Sequence, residues 1–180
     1  MPRPPLPLPD PPLRGPDHLL RPWGGHPGDA AALARAWQSP DLAARTRVPE
    51  GADEATARRW IGGEAARRDA GAALDLVLAD PDAPATVLGE VGLVVVDAER
   101  GWAEVGWWLL PEARGRGRAS AAVDGLAGWA LAHLALRRLF ARIPADHPAS
   151  AAVARRAGFT RVGVAAGGVE VHVRDRPGGR

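Results

Sequence analysis

The stretch 109–119 holds the residues best suited to chemistry, because Gly115 and Gly117 alternate there with arginines. A segment with strand character (103–110) precedes these glycines, and one with helical character (120–134) follows. A glycine-bearing turn between a strand and a helix exposes backbone N–H groups that bind phosphate or pyrophosphate. Glycine suits such a turn because a Cβ would block close approach and disfavour positive φ. The stretch therefore predicts an anion site, with an arginine-rich solvated turn as the alternative.

Two common phosphate-binding motifs do not fit this stretch. The pair Gly115 and Gly117 lacks the third glycine of a dinucleotide fingerprint. A P-loop needs Gly-Lys followed by Ser or Thr, and the chain contains no lysine. Separately, the chain has no Gly-x-Ser-x-Gly motif, which would indicate a serine nucleophile. A different phosphate ligand is therefore expected.

Length and composition exclude several classes of protein. The 180 residues suit one domain with a real core, and the absence of cysteine excludes disulfides, thiolate metal sites and a cysteine nucleophile. The net charge of only +2, from 23 basic and 21 acidic side chains, is no signature of nucleic-acid binding. The histidines show no metal-ligand spacing, so no metal is expected.

The chain also shows no sign of a membrane or secretory address. No run of about 18 apolar residues occurs, so a membrane span is not expected. The N-terminus is rich in proline instead of carrying an apolar secretory segment. Together with the lack of cysteine, these features predict a cytoplasmic protein.

Proline and glycine divide the chain into a domain with two short tails. Residues 1–16 carry many of the 18 prolines, which predicts a loose or polyproline II tail. A domain is expected over 17–174, and 175–180 is expected to be a loose C-terminal tail. A proline-rich ligand for an aromatic groove is the alternative for the first segment.

Within the domain, hydrophobic spacing predicts a mixed order of strands and helices. The expected order is one strand, two helices, three meander strands, a helix, a strand, a helix and a final hairpin. The predicted strands are 17–23, 73–78, 86–96, 102–110, 138–143, 159–164 and 169–174. The predicted helices are 29–37, 53–68, 120–134 and 148–157.

Three segments of this chain resemble the RimJ/RimL-like branch of the GNAT acetyltransferases. They are 19–23 (LLRPW), 103–119 (AEVGWWLLPEARGRGRA) and 147–159 (HPASAAVARRAGF). The second contains the pattern Arg-x-x-Gly-x-Ala, which is similar to the family's acyl-CoA pyrophosphate loop. The resemblance implies an α/β (α+β) fold with a mixed, mostly antiparallel central sheet flanked by helices.

The resemblance also implies acetyl-CoA as cosubstrate. Backbone amides of 114–119 would hold the pyrophosphate, and the main chain of 108–110 would run beside the pantetheine. One of those N–H groups would polarise the thioester carbonyl. The implied cofactor-binding residues are Trp108, Leu109, Leu110, Arg114, Gly115, Arg116, Gly117, Arg118, Ala119, His147 and Ser150.

Direct transfer of an acetyl group needs a neutral amine, and therefore a group that accepts its proton. Glu104 is the first candidate, because RimJ/RimL-like enzymes often carry glutamate in this Glu-Val-Gly setting. The alternative is that Glu104 only pairs with an arginine across the sheet. Glu90 has a similar setting one strand earlier, where a cleft-wall or sheet-surface carboxylate is the favoured interpretation.

The leaving thiolate needs a proton, which many GNAT enzymes supply from a tyrosine, and this chain has none. Ser150 is the available hydroxyl, and is predicted to be catalytic or else to cap a helix or bond the pantetheine. His147 stands where the family usually has asparagine. It could bond the cofactor or act as an acid, or it could be only an imperfect helix cap.

Three functions are compared on these grounds. The first is an N-acetyltransferase acting on a protein N-terminus or a small-molecule amine. The second is a catalytically weak CoA-binding regulatory module, suggested by the missing tyrosine and asparagine. The third, a nucleic-acid binder, is disfavoured by the modest net charge. A homodimer is expected only because dimers are common in this branch.

Overall fold

The computed structural model describes residues 3–44, 46 and 48–178, which form a twisted sheet with helices on both faces. The strands are β1 (Arg14–Gly15), β2 (His18–Pro22), β3 (Ala73–Ala79), β4 (Val87–Asp97), β5 (Trp102–Leu109), β6 (Arg138–Pro144), β7 (Thr160–Ala165) and β8 (Val169–Asp175). The helices are α1 (Asp29–Trp37), α2 (Pro40–Ala43), α3 (Glu54–Gly62), α4 (Glu64–Asp69), α5 (Arg118–His133) and α6 (Pro148–Arg156).

The strands lie in the order β1-β2-β3-β4-β5-β6-β8-β7. Every neighbouring pair is antiparallel except β5 and β6, which run parallel. A parallel pair needs a crossover connection, and α5 supplies it. The structure thus confirms the predicted mixed, mostly antiparallel sheet flanked by helices.

The two faces of the sheet carry different layers, as the alternation along β3 illustrates. Leu74, Leu76 and Leu78 belong to the main core, which α5 and α6 cover. Val77 and Ala79 belong to a second core, which α1 and α3 cover. We call these two sides the α5 face and the α1 face.

Two local features differ from the sequence prediction. The segment 53–68 forms two helices, because Gly63 ends α3 and also begins α4. The Ser-Pro-Asp sequence after α1 starts the short α2, which is not among the predicted helices. Proline at the first helical position explains this start, since its missing N–H has no helical partner there.

The N-terminal segment is packed, which corrects the prediction of a loose tail over 1–16. Leu6 is buried in the main core, and its N–H donates to the carbonyl of Arg68 at 2.9 Å. Arg14 and Gly15 pair with β2. Proline removes donors, but it does not prevent the leucines between prolines from being buried. Met1 and Pro2 lie outside the described residues.

The C-terminal segment is also anchored at its start. Strand β8 reaches Asp175, whose carboxylate accepts hydrogen bonds from Arg138 at 2.6 and 2.9 Å. The guanidinium of Arg176 donates to the carbonyls of Leu131 and Leu134 at the end of α5. The predicted loose tail over 175–180 is therefore wrong for its first two residues, and 179–180 lie outside the described part.

A buried ion pair joins α1 to the sheet. The guanidinium of Arg21 donates to both carboxylate oxygens of Asp29 at 2.8 and 2.7 Å, and to the carbonyl of Pro84 at 2.7 Å. The Asp29 carboxylate also accepts the N–H of Gly24 at 2.9 Å. Both side chains are less than a tenth exposed. Such a pair fixes geometry strongly, because either partner alone would be a buried, uncompensated charge.

Replacing Asp29 by Asn should therefore lower the free energy of unfolding by about 3 kcal/mol, since Arg21 stays buried without its counter-charge. Urea unfolding followed by circular dichroism measures this. Glu54→Gln is the matched control, because its exposed pair with Arg58 should contribute about 0.5 kcal/mol or less. Equal stability of Asp29→Asn and the wild type would contradict the assignment.

Candidate active site

The parallel strands β5 and β6 separate after a short paired stretch. They pair only from Trp102 opposite Arg138 to Glu104 opposite Phe140. Beyond that point β5 stays paired with β4 as far as Leu109, and β6 stays paired with β8 as far as Pro144. The sheet therefore opens into a wedge-shaped gap at the carboxyl ends of two parallel strands, where ligands of mixed α/β sheets commonly bind.

The glycine loop lies at the open end of this gap. A 3-10 turn over Pro111–Ala113 follows β5, and Gly115 and Gly117 then have φ of +80° and +75°. Gly117 is the N-cap of α5, which has no side-chain cap and no acidic residue in its first turn. A Cβ at either glycine would project into open space. The N–H groups that begin α5 are thus presented to a ligand, the geometry an anion site needs.

The three loop arginines have different surroundings. Arg114 donates to the carbonyl of Leu109 at 3.0 and 2.9 Å and pairs with Asp41 of α2 at 2.6 Å. Arg118 donates to the carbonyl of Asp17 at 3.0 Å. Within the described ranges, Arg116 alone of the three has no hydrogen bond or ion pair, and it is exposed. Arg116 is therefore the loop arginine best placed to meet a phosphate.

The second wall of the gap is the start of α6, which follows β6 directly. His147 is the N-cap of this helix, but its side chain does not cap it. Ser150 lies in the first turn and is partly exposed, and its N–H donates to the carbonyl of His147 at 3.1 Å. Both residues thus lie at the same end of the molecule as the glycine loop. Their roles stay predictions.

Glu104 forms an ion pair across the sheet. The guanidinium of Arg142 on β6 donates to both of its carboxylate oxygens, at 3.1 and 2.7 Å. Arg142 is 59% exposed, so the pair borders solvent. Hydrogen bonding to Glu104, and then its charge, raise the pKa of Arg142. This contact is the alternative that the sequence left open for Glu104.

Glu90 lies on the α1 face, as Glu104 does, but it has different hydrogen-bond partners. The indole N–H of Trp23 donates to Oε2 at 2.8 Å, and that of Trp108 donates to Oε1 at 3.1 Å. Burial, and then the charge of Asp75, raise the pKa of Glu90 to about 8, although the two indoles and Arg67 lower it. Glu90 is partly exposed. Its carboxyl group can therefore exchange a proton near neutral pH.

Asp75 is a third carboxylate on this face, and the sequence analysis did not identify it. Burial raises its pKa to about 6, and the positive charge of Arg67 opposes that rise. The Asp75 carboxylate lies over Gly92, where a Cβ would come within 2.1 Å of Oδ1. The signal was present in the sequence, since Asp75 interrupts the otherwise apolar strand ALDLVLA.

Gly106 marks an open recess between the two glutamates. It lies opposite Gly92 in the β4–β5 register, and its neighbours on the α1 face of β5 are Glu104 and Trp108. Gly106 is exposed, and a Cβ there would meet no atom within 4 Å. The α1 face therefore has room for a small group beside the gap.

Aromatic side chains line the deeper part of this face. Trp60 makes edge-to-face contacts with Trp23 and Trp37, each with ring centroids 6.3 Å apart, and the Arg67 guanidinium lies 4.4 Å from its ring centre. Trp107 and Trp108 point to opposite faces, because the β4–β5 register is continuous from Glu104 to Leu109.

Residues 3–44, 46 and 48–178 contain neither a membrane-spanning helix nor a cluster of metal ligands. No helix there is long and apolar enough to cross a membrane. No group of three or more His, Asp or Glu side chains is arranged to hold a metal ion.

Comparisons with known proteins agree with this geometry. The model of the Acetyltransferase (GNAT) domain matches residues 18–160. No curated protein matches the chain in sequence. Mycobacterium smegmatis RimJ in complex with CoA-disulfide superposes with a TM-score of 0.75 at 21% identity, over 91% of this chain and 85% of that one.

Two further solved structures share the fold. Vibrio cholerae spermidine N-acetyltransferase in complex with CoA and spermine gives a TM-score of 0.73 at 16% identity, over 90% of this chain and 97% of that one. The microcin C7 self immunity acetyltransferase MccE in complex with acetyl-CoA and AMP gives 0.74 at 18%, over 89% and 93%. With a family model that matches most of its length, this chain belongs to the GNAT acetyltransferase family.

Proposed function

We propose that this protein transfers the acetyl group of acetyl-CoA directly to a primary amine. The observation that carries the proposal is the gap between β5 and β6, which ends at the uncapped, glycine-bearing N-terminus of α5. Of the similar structures, one holds CoA with spermine and another is the ribosomal L7/L12 α-N-protein acetyltransferase RimL with CoA. Both a polyamine and a protein N-terminus are therefore suitable acceptors to test. The similarity to RimL and to RimJ also supports our assignment of this chain to the RimJ/RimL-like branch.

The cosubstrate fits along the open edge of β5. Backbone N–H groups of the loop from Gly115 to Ala119 would hold the pyrophosphate, with Arg116 adding charge. The pantetheine would lie in the gap beside the main chain of 108–110, and a backbone N–H there would polarise the thioester carbonyl. Because Arg114 already binds the Leu109 carbonyl, we assign Arg114 to shaping the loop instead of binding phosphate.

The acceptor would reach the thioester from the α1 face. The opposite face of β5 is closed, since Val105 and Leu109 are buried against the main core. The α1 face offers the exposed recess over Gly106. Ser150 or His147, at the start of α6, would then protonate the leaving thiolate.

We also propose a cytoplasmic location, because the reaction needs only soluble substrates. We further propose that the protein forms a homodimer.

Two observations favour a second candidate, a CoA-binding module with little turnover. The chain has no tyrosine to protonate the leaving thiolate. The carboxylate of Glu104, the first candidate for the base, already accepts hydrogen bonds from Arg142. Binding of acetyl-CoA without acetylation of any amine would support this candidate. The amine panel that decides comprises a peptide with a free α-amine, an amino acid, spermidine and an aminoglycoside.

Replacing Gly117 by Trp should abolish binding of acetyl-CoA, because an indole would fill the space in front of the first N–H groups of α5. Isothermal titration calorimetry with acetyl-CoA measures this. We expect at least a 100-fold weaker affinity than the wild type has.

Gly51→Trp is the matched control for that variant. Gly51 is exposed, has φ of +66° and has open space at its Cβ, so the substitution brings similar backbone strain in the loop between α2 and α3. It should keep the wild-type affinity. A folded Gly117→Trp protein that binds acetyl-CoA normally would refute this placement of the pyrophosphate.

Replacing Gly106 by Val should raise KM for the amine about tenfold or more while leaving the affinity for acetyl-CoA within about twofold. The valine side chain would occupy the recess, and a β-branched residue suits a strand. Initial rates against amine concentration, with thiol release as the readout, measure the effect. Gly163→Val, on the distant β7 and also with open space at its Cβ, is the control. An unchanged KM would place the acceptor elsewhere.

A further inference from the structure

We propose that Glu90, rather than Glu104, accepts the proton from the ammonium group of the acceptor. This inference rests on the proposed acetyl transfer and names the residue that begins it. It is carried by the position of Glu90 in the β4–β5 register, by the two indoles that orient its carboxylate, and by the competing contact of Glu104 with Arg142.

Position is the first argument. Glu90 lies directly opposite Trp108, in the part of β5 that has lost β6 as a partner. Side chains directly opposite one another in an antiparallel pair have Cβ atoms about 5 Å apart, and diagonal neighbours are about 7–8 Å apart. Glu90 is therefore a direct neighbour of Trp108 and a diagonal neighbour of Gly106. Its carboxylate therefore lies beside the recess, with only β5 between it and the gap.

Orientation is the second argument. Each oxygen of the Glu90 carboxylate accepts one indole N–H, from Trp23 and Trp108. Two donors, one directly after β2 and one on β5, fix the plane of the carboxylate while leaving lone pairs on both oxygens for a third donor. An approaching ammonium group is such a donor. Glu104 instead accepts both of its strong bonds from a guanidinium, which already neutralises its charge.

The charged groups around Glu90 are Asp75 on β3 and Arg67 on α4, and the two indoles supply the remaining polar contacts. Burial and the Asp75 charge raise the pKa of Glu90 to about 8, close to that of an α-amine and within reach of an alkylamine. A base of matched pKa transfers protons efficiently at neutral pH. The negative charge of Asp75 also favours binding of a cationic amine over a neutral ligand.

The step balances as follows. The Glu90 carboxylate takes one proton from R–NH₃⁺ and becomes a carboxylic acid. The freed lone pair on nitrogen forms the N–C bond to the thioester carbonyl, and the C–S bond breaks with its electron pair on sulfur. A second proton leaves nitrogen and ends on the thiolate, giving the amide and the free thiol. Glu90 then returns its proton to water.

The test compares kcat/KM of the wild type and Glu90→Gln on the amine panel with acetyl-CoA. At pH 7.5 we expect about a 100-fold loss in Glu90→Gln, the usual contribution of a general base, with acetyl-CoA affinity within about twofold. With spermidine, the wild-type profile should show an ionisation near pH 8 that disappears in Glu90→Gln. Glu104→Gln should lose less than tenfold. Glu99→Gln, on the exposed β4–β5 turn, is the control.

A second readout follows the two indoles directly. In ¹⁵N–¹H spectra, the indole signals of Trp23 and Trp108 should shift together with a midpoint near pH 8 in the wild type. They should stay constant in Glu90→Gln, and Trp23→Phe and Trp108→Phe assign the signals. A purely structural glutamate would not move the pH profile of kcat/KM. Glu90→Asp, which restores a carboxylate, should recover part of the activity.

Three outcomes overturn the inference. In the first, Glu90→Gln keeps wild-type rates and pH dependence while Glu104→Gln loses activity. In the second, which decides even if Glu90→Gln does not fold, the wild-type indole signals stay constant between pH 6 and 9. In the third, the wild type binds acetyl-CoA but acetylates no amine of the panel, which refutes the proposed function and this inference together.

Discussion

The early end of pairing between β5 and β6 is the constraint on which the rest of the site depends. Backbone groups that lose a partner inside a protein are costly, at about 1–3 kcal/mol each when buried. The chain limits this cost because β5 keeps β4 and β6 keeps β8 as partners throughout the gap. Unpaired N–H and C=O groups are thus confined to the two edges that face each other. An extended, amide-bearing chain such as pantetheine complements such edges as an added strand would.

The same separation determines where the helices begin. β5 and β6 run parallel, so both of their carboxyl ends lie at the open end of the gap, and α5 and α6 start there. An uncapped helix N-terminus carries unsatisfied donors and a partial positive charge. Gly115 and Gly117 keep side chains out of that space. Arg114 donates a hydrogen bond to the carbonyl of Leu109, the last residue of β5. Its ion pair with Asp41 connects this end of β5 to α2 on the other face.

Much of this could be predicted from sequence because it is local. Strand alternation, proline and glycine gave the ends of most elements within two residues, and the glycine-arginine loop stands out without any tertiary information. The packing of the N-terminal segment could not be predicted in this way. Leu6 is buried in the main core, to which β3, β4 and α5 contribute, and proline content says nothing about such a core. The division at Gly63 was missed because an amphipathic pattern runs through both α3 and α4.

The acidic part of the site was harder to predict, because it depends on register across several strands. Glu90 and Glu104 have nearly the same local sequence, Glu-Val-Gly, and they lie on the same face. What distinguishes them is the neighbouring strand. Arg142 lies on β6 two residues beyond its last pair with β5, and its guanidinium donates to both carboxylate oxygens of Glu104.

Glu90 accepts its hydrogen bonds from the indoles of Trp23 and Trp108 instead, and Asp75 and Arg67 are its charged neighbours. Neutral donors orient a carboxylate without neutralising it, and a nearby carboxylate makes its ionisation harder. Because burial and Asp75 outweigh the opposing effects of Arg67 and the two indoles, the pKa of Glu90 rises to about 8, and its proton can move near neutral pH.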